Sequence, residues 1–195
     1  PLRADKGSTV NMGSLTAAAD ASVEVGGGGS WHAVLTVEGI RSSDGREFAP
    51  GAVNTRALPL PLMCLDETSH GSGQPAGAYL AGAIQTAERD GARILGTGVF
   101  DQSDDGAKAQ GLVARQMLRF VSVDAEVLAY ELVMDDGGEA DIMDIMFGGG
   151  NVTERYTEAN LMGVTICAFP AFPQAVITMA DVPLPVTSAD DAGQA

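Results

Sequence analysis

The chain has 195 residues, with 26 acidic and 11 basic side chains and a net charge of -15. That length suits one domain with a core of its own, and the charge excludes a phosphate-backbone partner, because both surfaces would be negative. No apolar run reaches the ~18 residues that span a bilayer, and the start lacks a basic segment followed by an apolar one, so a soluble, intracellular protein without a membrane partner is expected.

Residues 1–30 are small and polar, with a glycine run from Gly26 to Gly29. They offer little apolar surface to offset the entropy of ordering and read as a flexible tail. "WHAVLTVEGI" (Trp31 to Ile40) is rich in β-formers and reads as the first strand, and Asp44 with Gly45 marks a turn after it. "ALPLPLMCL" contains Pro59 and Pro61, which cannot donate to a ladder. It is therefore expected at a sheet edge, or as a strand beginning only near Leu62. Tyr79 to Glu88 and Arg93 to Phe100 read as a hairpin turning at Asp90 and Gly91. Ala107, Leu112, Val113 and Met117 recur near a 3.6-residue period and predict a helix over 104–119, capped by Ser103. Strands are expected at Phe120 to Asp124, Val127 to Met134, Asn160 to Ala168 and Ala175 to Met179. An acidic, glycine-rich loop separates the second and third of these, with "ADIMDIMF" inside it able to form a short helix. The stretch from Pro183 reads as a flexible linker, leaving one domain over 31–182. The class is α+β, mainly β, plausibly a small closed or nearly closed barrel with one or more helices outside.

Few residues offer chemistry. The two cysteines, Cys64 and Cys167, lie in apolar surroundings without metal-ligand spacing, so buried thiols are expected and no zinc site. "GTGVFDQ" and "FGGGN" lack the spacing of phosphate-binding loops and read as turns. The acidic run Asp135, Asp136, Glu139, Asp141 and Asp144 lacks calcium-loop spacing and reads as a solvated loop. Of the two histidines, His32 sits within the first strand and reads as structural. His70 lies in the polar loop "DETSHGSGQPAG", where it is either an exposed loop side chain or a general base. Ser122, in "RFVSVDAEV", is a strand hydroxyl unless a base accepts its proton and a third group orients that base. Asp124, Glu126, Glu131, Asp141, Asp144 and Glu158 are all candidates for that third group, and periodicity does not choose among them.

Five blocks in order, "AVLTVEGIRSSDGREFAPGAV", "LPLPLM", "GTGVFD", "MLRFVSVD" and "EANLMGVTICAFPAFPQAVI", span about Ala33 to Ile177. Together they resemble the prohead (capsid maturation) serine proteases of tailed bacteriophages, most closely those of actinobacteriophages. The resemblance implies a herpesvirus-protease-like β-barrel with flanking helices, and a serine endopeptidase that needs no cofactor or metal. It implies Ser122 as nucleophile, His70 as base and Glu158 as third member. The implied partners are the phage major capsid protein and scaffold, met in the host cytoplasm inside the immature prohead, with a homo-oligomer left open. Two features depart from the pattern: the glycine-rich stretch after His70 and the long acidic insertion between Ser122 and Glu158. The competing reading is a catalytically inactive capsid-assembly or structural protein that keeps the protease barrel.

Overall fold

The computed structural model describes residues 29–66, 77–134 and 152–185. His70, Asp141, Asp144 and the rest of the acidic insertion, nearly all of the expected N-terminal tail, and the last ten residues of the expected linker lie outside them.

The first strand, β1 (Ser30–Val37), buries Trp31, Ala33 and Leu35 on one face, as the period of two requires. Val34 and Thr36 are buried as well, so both faces of β1 are covered. Two three-residue strands follow, β2 (Arg46–Phe48) and β3 (Val53–Thr55). The expected turn before β2 forms, with the Gly45 N–H donating to the Ser42 carbonyl at 3.1 Å.

The proline-containing strand β4 (Leu60–Leu65) is not an edge strand. It runs between β5 and β8, and the ladder tolerates Pro61 because pairing with β8 begins only at Leu62. The hairpin is β5 (Ala78–Asp90) and β6 (Arg93–Phe100), joined by Gly91 and Ala92. Gly91 has φ 60, which a side chain would strain. At Gly98, a Cβ would collide with the Ala83 carbonyl oxygen and fall 2.5 Å from the Trp31 ring, so glycine leaves room for that ring beside β6.

Helix α1 (Asp104–Ala114) begins as expected: the Ser103 hydroxyl accepts from the Gly106 N–H at 3.3 Å. It ends earlier than the periodicity predicts, because Gln116 takes a left-handed conformation with φ 57 and turns the chain. The buried stripe is Gly106, Ala109 and Val113, while Met117 is exposed. Small residues on that stripe let the helix sit close on β5, β6 and β9.

Strand β7 (Phe120–Met134) is one continuous strand where two were expected, with register shifts between Asp124 and Ala125, Val127 and Ala129, and Ala129 and Tyr130. It pairs antiparallel with β8 (Val152–Cys167), which also carries β2, β3 and β4 as parallel neighbours. β9 (Ile177–Met179) pairs with β1.

The described residues thus form a mixed nine-stranded sheet with one helix, an α+β protein that is mainly β. The sheet is not closed into a barrel: its path runs β2-β8-β4-β5-β6-β1-β9, with β3 and β7 also on β8. The expected closed or nearly closed barrel is corrected to a sheet that does not close, since β9 is only three residues long and forms no ladder with β7. A single bridge, Phe120 with Val176, spans the gap. There the Val121 N–H donates to the Ala175 carbonyl and the Ile177 N–H to the Arg119 carbonyl, both at 3.0 Å. The core inside includes Trp31, Leu62, Ile84, Phe100, Val121, Leu161 and Ile166. Both cysteines are buried there without a disulfide.

Candidate active site

Ser122 is positioned by its neighbours on β7. Val121 is fully buried in the core, and Val123 packs against the core from the same side. The strand period then turns Ser122 and Asp124 to the opposite face. Across the ladder, Ser122 faces Thr165 and Asp124 faces Gly163. Because Gly163 presents no side chain to Asp124, the nearest donor is diagonal: the Thr165 hydroxyl donates to Asp124 Oδ2 at 2.8 Å. The Ser122 hydroxyl, half-buried, makes no hydrogen bond to another described residue.

The same stretch of β7, with residues of both faces from Ser122 to Val127, lines a cleft of about 370 Å³ whose other wall is Phe48, Tyr156 and Phe172 of the core cluster. The aromatic side is rigid, with Phe48 edge-on to Tyr156 at 5.5 Å and stacked with Phe172 at 5.8 Å between ring centroids. Burial pushes the Tyr156 phenol above its ordinary pKa. At the rim Arg46 is ion-paired with Asp44, and its guanidinium holds that carboxyl down at about 2. Glu126, further along β7, is occupied by Arg56 and by the Asn160 amide, which donates at 3.1 Å.

The other candidate residues are placed as follows. His32 Nε2 lies 2.6 Å from the Val182 carbonyl oxygen and donates to it from β1, as a structural strand histidine does. Glu158 lies opposite Ala129, seven positions along β8 from the Thr165 that faces Ser122. Seven extended residues measure about 23 Å, so the register does not bring Glu158 to Ser122. Glu131 is engaged by Arg155 at 3.5 Å.

His70 lies outside the described residues, but both ends of its loop are fixed. The Asp66 N–H donates to the Gly77 carbonyl at 2.7 Å, closing the stem. Met63, Thr165 and Ser122 occupy one row across β4, β8 and β7. Two interstrand spacings, about 10 Å, therefore separate β4 from the Ser122 strand. The stem leaves the sheet three residues past that row, at the end where β7 begins.

Asp124 was among the acids the sequence offered, but its relation to Ser122 was not used. A serine and an acid two positions apart on a strand share a face, and "SVD" carries that signal. The aromatic wall carried none, since Phe48, Tyr156 and Phe172 come from three distant segments. Among the described residues no group of histidine, cysteine and carboxylate side chains is arranged to hold a metal ion, and no helix is long and apolar enough to cross a membrane. No family model matches the chain, and no curated protein or solved structure matches it either.

Proposed function

We propose that the chain is a serine endopeptidase that processes scaffold and major capsid protein precursors, and itself, inside the immature phage head. The observation that carries this reading is the placement of Ser122: a half-buried residue lining a cleft, its hydroxyl without a hydrogen-bond partner among the described residues, at the end of the sheet where β4 ends and β5 begins. The chain has two histidines and the other, His32, is engaged by a backbone carbonyl, so the base falls to His70. The ordered sequence blocks that resemble prohead proteases support the same pair.

In the proposed reaction Ser122 Oγ attacks the carbonyl carbon of a peptide bond as His70 takes its proton. Backbone N–H groups stabilise the oxyanion that forms. The C–N bond then breaks, with His70 returning the proton to the leaving amine. Water attacks the resulting ester, its proton passing to His70 and on to Ser122, which frees the acid and restores the hydroxyl. A nucleophile on an extended strand differs from the sharp strand-to-helix elbow that α/β-hydrolases use.

The same proposal assigns the sheet to the herpesvirus-protease-like class. Support comes from the Phe120–Val176 bridge, which brings the β7 end of the sheet against the β9 segment, and from α1 packed outside.

Co-expression of the chain with its capsid protein tests the function, with capsid mass followed for wild type, Ser122→Ala and His70→Ala. Trimming by wild type alone is expected. Equal trimming in all three would reject the pair, and no trimming in any would favour the inactive structural protein.

A further inference from the structure

We infer that Asp124 is a specificity-determining residue of the cleft: its carboxylate receives a lysine or arginine side chain of the substrate, within two residues of the bond that Ser122 attacks. The inference rests on the serine-protease reading above. Its ground is the balance of charge in the cleft. Three charged residues line it, Arg46, Asp124 and Glu126. Arg46 is paired with Asp44, and Glu126 with Arg56 and the Asn160 amide. Asp124 is thus the one cleft charge without a counter-ion among the described residues, and a bound substrate supplies it.

The carboxylate is also held in place for such a contact. The Thr165 hydroxyl donates to Oδ2 at 2.8 Å, and Thr165 is itself fixed by facing Ser122 across the ladder. A carboxylate accepts several hydrogen bonds, so an ammonium or guanidinium can add to the one from Thr165. Residues two apart on one face of a strand are separated by about 6.6 Å, and an extended peptide advances about 3.3 Å per residue. A peptide lying along β7 with its carbonyl at Ser122 therefore brings a side chain within two residues of that carbonyl beside Asp124. The wall of Phe48, Tyr156 and Phe172 gives the aliphatic stem of lysine or arginine an apolar surface while the charged head meets the carboxylate. The net charge of -15 acts in the same direction, because it draws cationic peptides toward the molecule.

The test uses the full chain on a library of proteome-derived peptides, with cut positions read by mass spectrometry. Two peptides of the preferred sequence follow, one with lysine and one with norleucine at the selected position. Wild type is expected to enrich lysine and arginine at one position within two residues of the cut. Asp124→Asn should lose that enrichment and lower kcat/KM on the lysine peptide by roughly 10- to 100-fold, mainly through KM, with a much smaller loss on the norleucine peptide. Asp124→Lys should turn the enrichment to aspartate and glutamate, which a merely structural role would not do. Thr165→Val should lower the lysine-over-norleucine ratio about threefold. No basic enrichment in wild type, or the same enrichment in Asp124→Asn, overturns the inference while leaving the protease reading intact. Should thermal melts show that Asp124→Asn folds poorly, Thr165→Val decides alone: a lowered ratio supports the inference and an unchanged ratio overturns it. Cutting that persists in Ser122→Ala, or no cutting by wild type, would sink the protease reading and the inference with it.

Discussion

Two carboxylates in this molecule sit among backbone and side-chain donors in opposite ways. Glu38, just past β1, is 2 % exposed and fully engaged: the Gly51 N–H donates at 2.8 Å, the Val53 N–H at 2.9 Å, and the Arg89 guanidinium completes the set. Arg89 also donates to the Val53 carbonyl at 2.8 Å, so one buried acid ties β1, β3 and β5 together. Asp124 is exposed, with a single described donor. A buried charge must be saturated to be tolerated. A carboxylate at a working site must keep an acceptor position open. Accessibility and donor count therefore separate a clamp from a tool where residue type alone does not.

The largest stability effect should come from breaking the clamp. Glu38→Ala leaves the buried Val53 N–H, the partly buried Gly51 N–H and the Arg89 guanidinium without their acceptor, and should cost about 3 kcal/mol. For a domain of this size that lowers Tm by roughly 6–12 °C. Asp124→Ala, by contrast, should stay within about 0.5 kcal/mol of wild type. Chemical denaturation of both variants checks the pair. Equal losses would erase the distinction between them.

Neither role can be read from the chain alone, for a physical reason. Glu38 and Asp124 are acids beside apolar residues, and what separates them is which distant segments arrive. β3 is three residues long and is held by parallel pairing with β8, so it carries no alternation to detect. Thr165 reaches Asp124 across 41 positions of sequence. Locally determined features were legible: the Asp90–Gly91 hairpin, the Ser103 cap, and the strand that carries Ser122. Features decided by register were not, which is why Glu158, which the resemblance implied as third member, lies far along the ladder from Ser122. The single strand β7 was read as two because the polar and small residues at 124–126 coincide with a register shift that strand pairing absorbs. The helix was read too long because the periodicity continues to Met117, whereas the left-handed Gln116 ends it.

A smaller effect sharpens the comparison from the Asp124 side. Thr165→Val keeps the shape of the side chain and removes the hydroxyl that donates to Asp124. Its stability cost should be about 0.5 kcal/mol, the low end for a solvated hydrogen bond, while its effect on selectivity is the change of about threefold expected above. A drop in Tm as large as that of Glu38→Ala would make the Thr165–Asp124 bond a structural clamp of the same kind.

The smallest effect belongs to a third carboxylate, Asp44, intermediate between the other two. It accepts from the Ser42 hydroxyl at 2.5 Å and is ion-paired with Arg46, and these hold its pKa at about 2 against an ordinary 3.8. A folded-state pKa below the unfolded one means stability that is fully present above about pH 4 and is lost as pH falls through about 2. Asp44 and Arg46 are 40 % and 48 % exposed, so solvent screens the pair and the contribution stays below about 1 kcal/mol. Thermal melts of wild type and Asp44→Asn across that window should converge as pH falls, and the gap at pH 5 should shrink in high salt. A gap that persists at pH 2 would mean that Asp44 acts through packing, which would remove charge saturation as the variable ordering the three acids.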